Sequence, residues 1–255
     1  MTTNALTTQS IKDLLTFPFR GKDWQSRFLI GVGLTLVGFI PFLPAIFQLG
    51  YFSRVMKQAL NGEELELPAW EDWGRLAKDG LRLLGVNLIY TLPGSLVMMG
   101  SMLVYFFGFF PAMVFADRSS HIETVMPAAM FLLMGIMFLG MFLGNLLLFV
   151  GAVPLPFAMA RVVEQDNFAA AFQLGEIHKL LWRNKAGYFT AWVVLAGVAA
   201  IVYWVFYLFN MTFIFMWVGF LLLIPFGFYL LMLMAGLFGQ TYRESLVVAE
   251  ISTSA

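Results

Sequence analysis

The chain has no cysteine and few charged side chains. Of its 255 residues only 12% are Asp, Glu, Lys or Arg, whereas soluble globular domains carry about 25%. The absence of cysteine excludes disulfide bonds, a thiolate nucleophile and any zinc or iron–sulfur centre bound by Cys. The low charge content argues strongly against a soluble enzyme.

Neither positive nor negative side chains are in excess. Lys and Arg number 15 and balance 15 Asp and Glu, and no basic block stands out, so nothing predicts nucleic-acid binding. The sequence has no paired carboxylates, HExxH motif or nucleophile–base arrangement. We therefore predict no enzymatic activity and no catalytic, cofactor-binding or metal-binding residues.

Hydrophobic residues, by contrast, make up 60% of the chain and gather in long runs without Asp, Glu, Lys, Arg or His. A helix of about 20 residues crosses the hydrocarbon core of a bilayer. Backbone groups in lipid must bond to one another, and these runs lack the alternation of barrel strands. The sequence therefore predicts an all-α integral membrane protein. Its five candidate membrane segments are residues 28–52, 83–116, 126–160, 186–210 and 213–238.

Short polar tails are predicted to flank a single membrane domain. Residues 1–10, rich in Thr, Ser, Asn and Gln, predict a flexible N-terminal tail, and residues 245–255 a C-terminal tail. Residues 11–244 form the predicted helical membrane domain between them. No signal-peptide pattern precedes the first apolar run.

Two amphipathic helices are predicted to lie along the cytoplasmic surface, over residues 70–84 and 165–182. In the first, a rotation of 100° per residue places apolar residues on one face and charged residues on the other. Trp70 and Trp73 are its expected interfacial anchors. Each helix follows a membrane segment that ends near an arginine, and this order suggests a pseudo-repeat of two halves.

The Lys and Arg residues predict the orientation, because they concentrate on the cytoplasmic side of membrane proteins. If all five segments cross, the two sides carry 10 and 5 basic residues; if residues 28–52 enter and return on one side, they carry 14 and 1. Pro41 and Pro44 offer a place for the bend, since each disrupts the preceding helical turn. We therefore prefer four spanning helices with a re-entrant first hairpin over five spanning helices with a kinked first one. Both arrangements place the C-terminus in the cytoplasm.

Three arginines follow the ends of membrane segments, each downstream of one or two prolines. Arg54, Arg161 and Arg243 are candidates to contact an anionic headgroup or substrate. The alternative is that they extend from helix ends to the interface without a specific ligand.

Asn87 and Asn145 are the strongest polar side chains inside the predicted membrane segments, and they form a candidate intramembrane site. The alternative is that they hydrogen-bond across helices. All five segments lack Asp, Glu, His, Lys and Arg, which counts against a proton-driven mechanism. The GxxxG pattern at 140–144 permits close helix packing, most simply within the chain.

Six short motifs are spread along the chain: 67–73 (LPAWEDW), 79–81 (DGL), 89–93 (IYTLP), 170–172 (AAF), 175–177 (GEI) and 239–243 (GQTYR). Together they resemble the prokaryotic membrane family catalogued as domain of unknown function 4013. The resemblance implies a multi-pass protein of a bacterial or archaeal cell membrane. It brings no catalytic residues.

These features predict a non-enzymatic scaffold or accessory membrane subunit, whose partners are the lipid bilayer and either another membrane protein or a second copy of itself. The interfacial helices and packing glycines favour this interpretation. The alternative is a carrier or channel for a neutral or lipid-like substrate, built from two halves with proline-broken helices. The absence of charge within the membrane segments counts against that alternative.

Overall fold

The computed structural model describes residues 8–39, 42–117, 122–211 and 215–253. These residues form α-helices joined by short loops and 3-10 turns, and no strand occurs among them. The helices are α1 (Thr8–Thr16), α2 (Trp24–Leu36), α3 (Leu43–Asn61), α4 (Trp73–Asp117), α5 (Ile122–Ala152), α6 (Leu155–Gln165), α7 (Leu174–Arg183), α8 (Lys185–Asn210) and α9 (Met216–Thr253).

The predicted all-α multi-pass membrane fold is confirmed. The helices fold as two compact units, of which the first combines Met1–Val86 with Pro156–Ala255 and the second is Asn87–Leu155. Four stretches of the described residues are long and apolar enough to cross a membrane: Trp73–Val114, Met126–Gln165, Lys185–Asn210 and Met216–Val248.

In the first unit, α9 is the central helix, with α2, α3, α7 and α8 packed against it. It runs antiparallel to α8: the rings of Phe206 and Phe220 lie 5.4 Å apart, and those of Trp192 and Phe238 lie 5.3 Å apart further along. Helices in lipid associate through close packing rather than through removal of apolar surface from water, and aromatic residues supply much of the packing in this bundle. Those fully buried in it include Tyr51, Phe52, Phe157, Phe228, Phe238 and Tyr242.

The described parts of the first predicted membrane segment, residues 28–39 and 42–52, belong to two helices that pack side by side as a hairpin. α2 has 13 residues, which extend roughly 20 Å and fall short of the hydrocarbon core of a bilayer. Gln48 of α3 donates a hydrogen bond to the hydroxyl of Thr35 in α2 over 2.6 Å. α3 therefore runs back alongside α2, and the segment is not one continuous helix.

Trp70 packs at the open end of this hairpin. Its indole N–H donates to the carbonyl of Arg27 over 2.7 Å, and its ring stacks on Tyr51 with centroids 3.9 Å apart. Because these contacts leave it only 9% exposed, Trp70 is a core residue rather than the predicted interfacial anchor. The predicted bend at Pro41 lies outside the described residues, whereas Pro44 occupies the first turn of α3, where proline is tolerated.

The predicted interfacial helix over 70–84 and the membrane segment over 83–116 form a single helix, α4. The helix begins at Trp73, and the Asp72 carboxylate caps it by accepting a hydrogen bond from the backbone N–H of Arg75 over 3.2 Å. The first proline inside it is Pro93, so nothing interrupts the backbone ladder at the expected boundary. The amphipathic pattern therefore marks the beginning of a spanning helix and not a separate surface helix.

The apolar face of this first part of α4 packs on α3. Gly50 of α3 and Gly80 of α4 bring the two backbones close together, because a Cβ at either position would collide with a carbonyl oxygen of the facing helix. Leu76 and Leu83 are fully buried beside them. The predicted apolar stripe is thus divided: Leu76 and Gly80 are buried against α3, whereas Trp73 and Leu81 are 44% and 59% exposed.

The second predicted interfacial helix, residues 165–182, is interrupted. The end of α6, a 3-10 turn over Phe168–Phe172 and α7 take its place. Asn167 starts the turn, since its side chain accepts a hydrogen bond from the backbone N–H of Ala169 over 3.0 Å. In α7, Ile177 and Leu180 are buried, whereas Glu176 and Lys179 are exposed.

Helix ends also differ from the prediction at three other places. The segment predicted over 126–160 is divided, because α5 ends and α6 begins on either side of Pro154, which has no backbone N–H. α1 begins at Thr8, within the predicted N-terminal tail, and α9 continues to Thr253, through most of the predicted C-terminal tail. The hydroxyl of Ser245 donates back to the carbonyl of Thr241 over 2.9 Å, so polar residues continue this helix beyond the apolar run.

The second unit pairs the remainder of α4 with α5. A Cβ at Gly144 would lie 2.9 Å from the carbonyl oxygen of Gly94, and one at Gly140 would collide with Ser101. The GxxxG glycines therefore allow the two helices to approach within the chain.

Candidate functional site

Charged side chains of the first unit meet in a cavity between α3, the loop before α4, the first turns of α4 and the end of α6. The cavity has a volume of about 380 Å³. One part of its wall is apolar and consists of Leu83, Val162 and Val163. The charged part contains the cations Arg54, Lys57, Arg75 and Arg82 and the carboxylates Glu63, Asp72, Asp79 and Asp166.

The carboxylates of this charged cavity all have partners. Arg82 donates a hydrogen bond to the Asp166 carboxylate, and this bond is the main reason why the pKa of Asp166 is lowered. Asp79 lies 3.8 Å from Arg75 and 3.9 Å from Arg82. Asp72 caps α4. The Glu63 carboxylate accepts a hydrogen bond from the side-chain amide of Asn61 at the end of α3.

Two of the cations are not neutralised in this way. The Arg54 guanidinium donates to the backbone carbonyls of Ala69 and Asp72, over 3.1 and 3.3 Å. It pairs with no carboxylate in the part of the chain that the structure describes. Lys57, one turn further along α3, is exposed, and within the described ranges its ammonium forms neither a hydrogen bond nor an ion pair.

Arg243 borders a different cavity, of about 520 Å³, formed with α1 and the loop after α3. Its guanidinium lies over Gly62, where a Cβ would collide with it. Gly62 ends α3 with φ +73, and its N–H donates to the carbonyl of Ala59 over 3.2 Å. Arg243 thus lies at the negative end of the α3 dipole, where a cation is stabilised.

Arg161 has a third set of contacts. Its Nε donates to the side-chain oxygen of Gln173 over 3.0 Å, which ties α6 to the start of α7. Neither of the two cavities is lined by Arg161. The structure therefore does not bring Arg54, Arg161 and Arg243 together around one ligand, and the binding role of each stays a prediction.

Asn87 and Asn145 are also apart. The Asn145 amide donates to the carbonyl of Met141 in its own helix over 2.8 Å. Gly151 of α5 packs on the carbonyl of Tyr90 in α4, and the two helices run antiparallel. At 1.5 Å per residue, this alignment places Asn87 roughly 13 Å from Asn145 along the helix axis. The two side chains do not form one polar site.

Lys57 is a residue that the sequence-based prediction missed. It follows Arg54 by three residues, a spacing that places two side chains on one face of a helix. That spacing is the signal in the sequence that points to it. The prediction followed only the arginine at the exit of each membrane segment.

A family model described as a protein of unknown function, DUF4013, matches residues 33–211. This chain belongs to the DUF4013 family. The resemblance predicted from the sequence is thereby confirmed, and the match includes the α3 and α4 walls of the charged cavity. Of the six motifs, the one at 239–243 lies outside the range that matches DUF4013. No curated protein and no solved structure matches the chain.

Proposed function

We propose that this DUF4013 protein is a non-enzymatic scaffold or accessory subunit of a prokaryotic cell membrane, with its C-terminus in the cytoplasm. Tyr229 of α9 donates to the carbonyl of Leu15 in α1, but five Thr, Ser and Asn side chains in the spanning helices donate to carbonyls of their own helix, and this observation carries the proposal. These bonds are Thr91 to Asn87, Ser101 to Met98, Asn145 to Met141, Thr190 to Ala186 and Asn210 to Phe206.

Such local bonds favour packing over transport. A polar side chain that bonds to its own backbone is satisfied in hydrocarbon without a partner on another helix. A carrier, in contrast, needs polar groups from several helices that face a shared space. Function in this protein therefore belongs to its surfaces rather than to a path through it.

Contacts at the helix ends support the orientation. In the first unit, Arg82 at the start of α4 contacts Asp166 just after α6, and Asn184 just before α8 donates to Glu244 near the end of α9 over 3.2 Å. The chain thus returns to the same charged surface after each pair of spanning helices. With the first segment folded as a hairpin, 14 of the 15 Lys and Arg lie on that side, which the positive-inside rule assigns to the cytoplasm.

Photo-crosslinking in native membranes tests the scaffold role. A benzophenone amino acid is placed at exposed Phe142 in the second unit or at exposed Phe189 in the first. We expect a discrete adduct with one protein from at least one position, identified by mass spectrometry and reproduced when that protein carries the tag. Lipid adducts alone at both positions would contradict the proposal.

The second candidate is a carrier or channel for a neutral or lipid-like substrate. It is favoured by prolines inside the spanning helices, at Pro93, Pro111, Pro127 and Pro225, because broken helices often build transport sites. In vesicles containing a fluorescent lipid, the scaffold role predicts no more transbilayer movement than in protein-free vesicles. Movement that requires Asn145 would favour the carrier.

A further inference from the structure

The charged cavity between α3, α4 and α6 is suited to bind a ligand. We propose that it binds a phosphate group, held by Arg54 and Lys57. The group belongs either to a phospholipid or to a soluble phosphate ester, since both present the same oxyanion. This proposal does not rest on the scaffold role, because it concerns only the contents of the cavity.

Two cations of the cavity are available to a ligand. Arg75 pairs with Asp79 and Arg82 with Asp166, whereas Arg54 and Lys57 lack a carboxylate partner among the described residues. Four cations and four carboxylates line the cavity, and within the described chain the carboxylates of Glu63 and Asp72 bond only to an amide and a backbone N–H. An anion would therefore bind because two unpaired cations lie side by side, and not because positive charge is in excess. Clusters of three His, Asp or Glu side chains that could hold a metal ion are absent from the same described residues.

The geometry of Arg54 favours phosphate among anions. A guanidinium has five N–H donors, and Arg54 directs only two hydrogen bonds at carbonyls, those of Ala69 and Asp72. It can therefore bind oxygen atoms without losing its supports. Because these supports already fix the side chain, little conformational freedom is lost when a ligand binds.

Lys57 supplies a second charge on the same wall. It lies three residues after Arg54 in α3, so both side chains project from one helix face into the cavity. A guanidinium and an ammonium together match the several acceptor oxygens and the charge of a phosphate. A carboxylate ligand would use these donors less completely.

The volume and the apolar wall of the cavity leave room for a chemical group attached to the phosphate. The volume of 380 Å³ lies within the range of small-molecule sites, about 300–1,000 Å³. Leu83, at the start of the longest uncharged run of α4, forms the apolar wall together with Val162 and Val163. A phosphate that carries a glycerol backbone would meet charge on one side and apolar surface on the other.

Native mass spectrometry of the full chain in mild detergent tests the proposal. The probes are phosphatidylglycerol, the soluble ester glycerol 3-phosphate, and a glucosyl diacylglycerol that lacks phosphate. Lys57→Gln removes a side chain that forms no hydrogen bond or ion pair among the described residues, and Lys22→Gln removes another exposed charge that does not line the cavity. We expect Lys57→Gln to weaken binding of a phosphate probe about five- to tenfold, while Lys22→Gln leaves it unchanged.

A third variant changes affinity in the opposite direction. Asp79→Asn removes a negative charge from the cavity and releases Arg75, so phosphate should bind about two- to threefold more tightly. A gain of affinity cannot arise from misfolding. Retention of phosphatidylglycerol that glycerol 3-phosphate does not displace assigns a lipid headgroup, and binding of glycerol 3-phosphate alone assigns a soluble ester.

Three outcomes would overturn the proposal. One is equal retention of all three probes. Another is an equal loss of binding in Lys57→Gln and Lys22→Gln, which would indicate general charge attraction. The last is weaker binding in Asp79→Asn.

Discussion

Two glycine residues fix the distance between α3 and α4. A Cβ at Gly80 would collide with the carbonyl oxygen of Ile46, a backbone atom that cannot turn aside as a flexible side chain can. We therefore expect Gly80→Ala to lower the free energy of unfolding by about 3 kcal/mol through overpacking. Thermal unfolding of the purified protein in detergent measures the change.

Gly197→Ala is the matched control for this substitution. Gly197 also lies inside a long helix, α8, but no described atom beyond the backbone of its own helical turns and its two chain neighbours lies within 4 Å of the position that an alanine methyl would occupy there. Alanine is favoured over glycine in a helix by up to about 1 kcal/mol, so stability should stay equal or rise. Similar losses at both positions would show that the α3–α4 contact does not depend on the glycines.

The contact between Arg82 and Asp166 makes a pH-dependent contribution to stability. The hydrogen bond from Arg82 lowers the pKa of Asp166 below its ordinary value of 3.8. A carboxylate with a lowered pKa in the folded state stabilises the fold above its unfolded-state pKa, and this contribution is lost as pH falls through the lowered value. The difference in Tm between wild type and Asp166→Asn should therefore be constant near pH 7 and shrink toward pH 3.

Two features limit the size of this pH effect and identify its source. Asp166 is exposed, so solvent screens the pair and the difference in Tm should be small. Glu63→Gln, which alters another carboxylate of the cavity that has no cationic partner in the described chain, should not reproduce the pH dependence. A difference that grows as pH falls would contradict the assigned sign.

At the scale of elements, the α2–α3 hairpin determines the number of crossings. Because the chain has no native cysteine, single cysteines can be placed at exposed Lys22 before α2 and exposed Asn61 at the end of α3. A helical hairpin returns the chain to the side from which it came. We expect an impermeant maleimide to label both positions from the cytoplasmic side only.

Met211 provides the control for labelling from the other side. It is exposed at the end of α8, one crossing away from the charged helix ends, so Met211→Cys should react only from outside the cell. If Lys22→Cys also reacted from outside, residues 28–52 would cross the membrane and the hairpin would not be re-entrant.

The type of each element is easier to predict from the sequence than its ends. A run of about 20 uncharged residues requires a helix in lipid whatever its neighbours are, and the four candidate spans follow from this rule. The change from an amphipathic to an apolar pattern near Leu83 predicts a boundary there. The helix continues instead, because a change of surroundings does not break a helix that lacks a proline or a cap.

Only part of the site could be predicted from the sequence, because residues far away in the chain determine whether a charged side chain forms an ion pair. Arg54 was a candidate from its position at the end of an apolar run. Arg82 is paired because Asp166, which is 84 residues away in the chain, lies beside it in the fold. Lys57 has no such partner among the described residues. Trp70 likewise resembles a membrane anchor in the sequence, and only the contacts of Tyr51 and Arg27 make it a core residue.

At the scale of the whole molecule, ionised groups and uncharged polar groups have different roles. Ionised side chains join helix ends, as Glu164 does by accepting a hydrogen bond from Tyr242 over 2.7 Å. Several Thr, Ser and Asn side chains within the spans bond to their own helix, whereas Tyr229 of α9 donates to the carbonyl of Leu15 in α1. Under the proposed scaffold role, the spanning surfaces serve contacts with lipid and protein, and one pair of variants tests this expectation.

Asn145→Leu and Ser101→Leu are that pair, since both residues lie in the second unit and both bond to their own backbone. Asn145 is exposed, so leucine should leave Tm equal or higher, because a polar group is exchanged for an apolar one on a lipid-facing surface. Ser101 faces Gly140 at collision distance for a Cβ, so leucine should separate the helices and lower Tm by several degrees. If Asn145→Leu instead lowered Tm as much, then the Asn145 amide would have a role beyond its own helix, and the inference that its local bond satisfies it would fail.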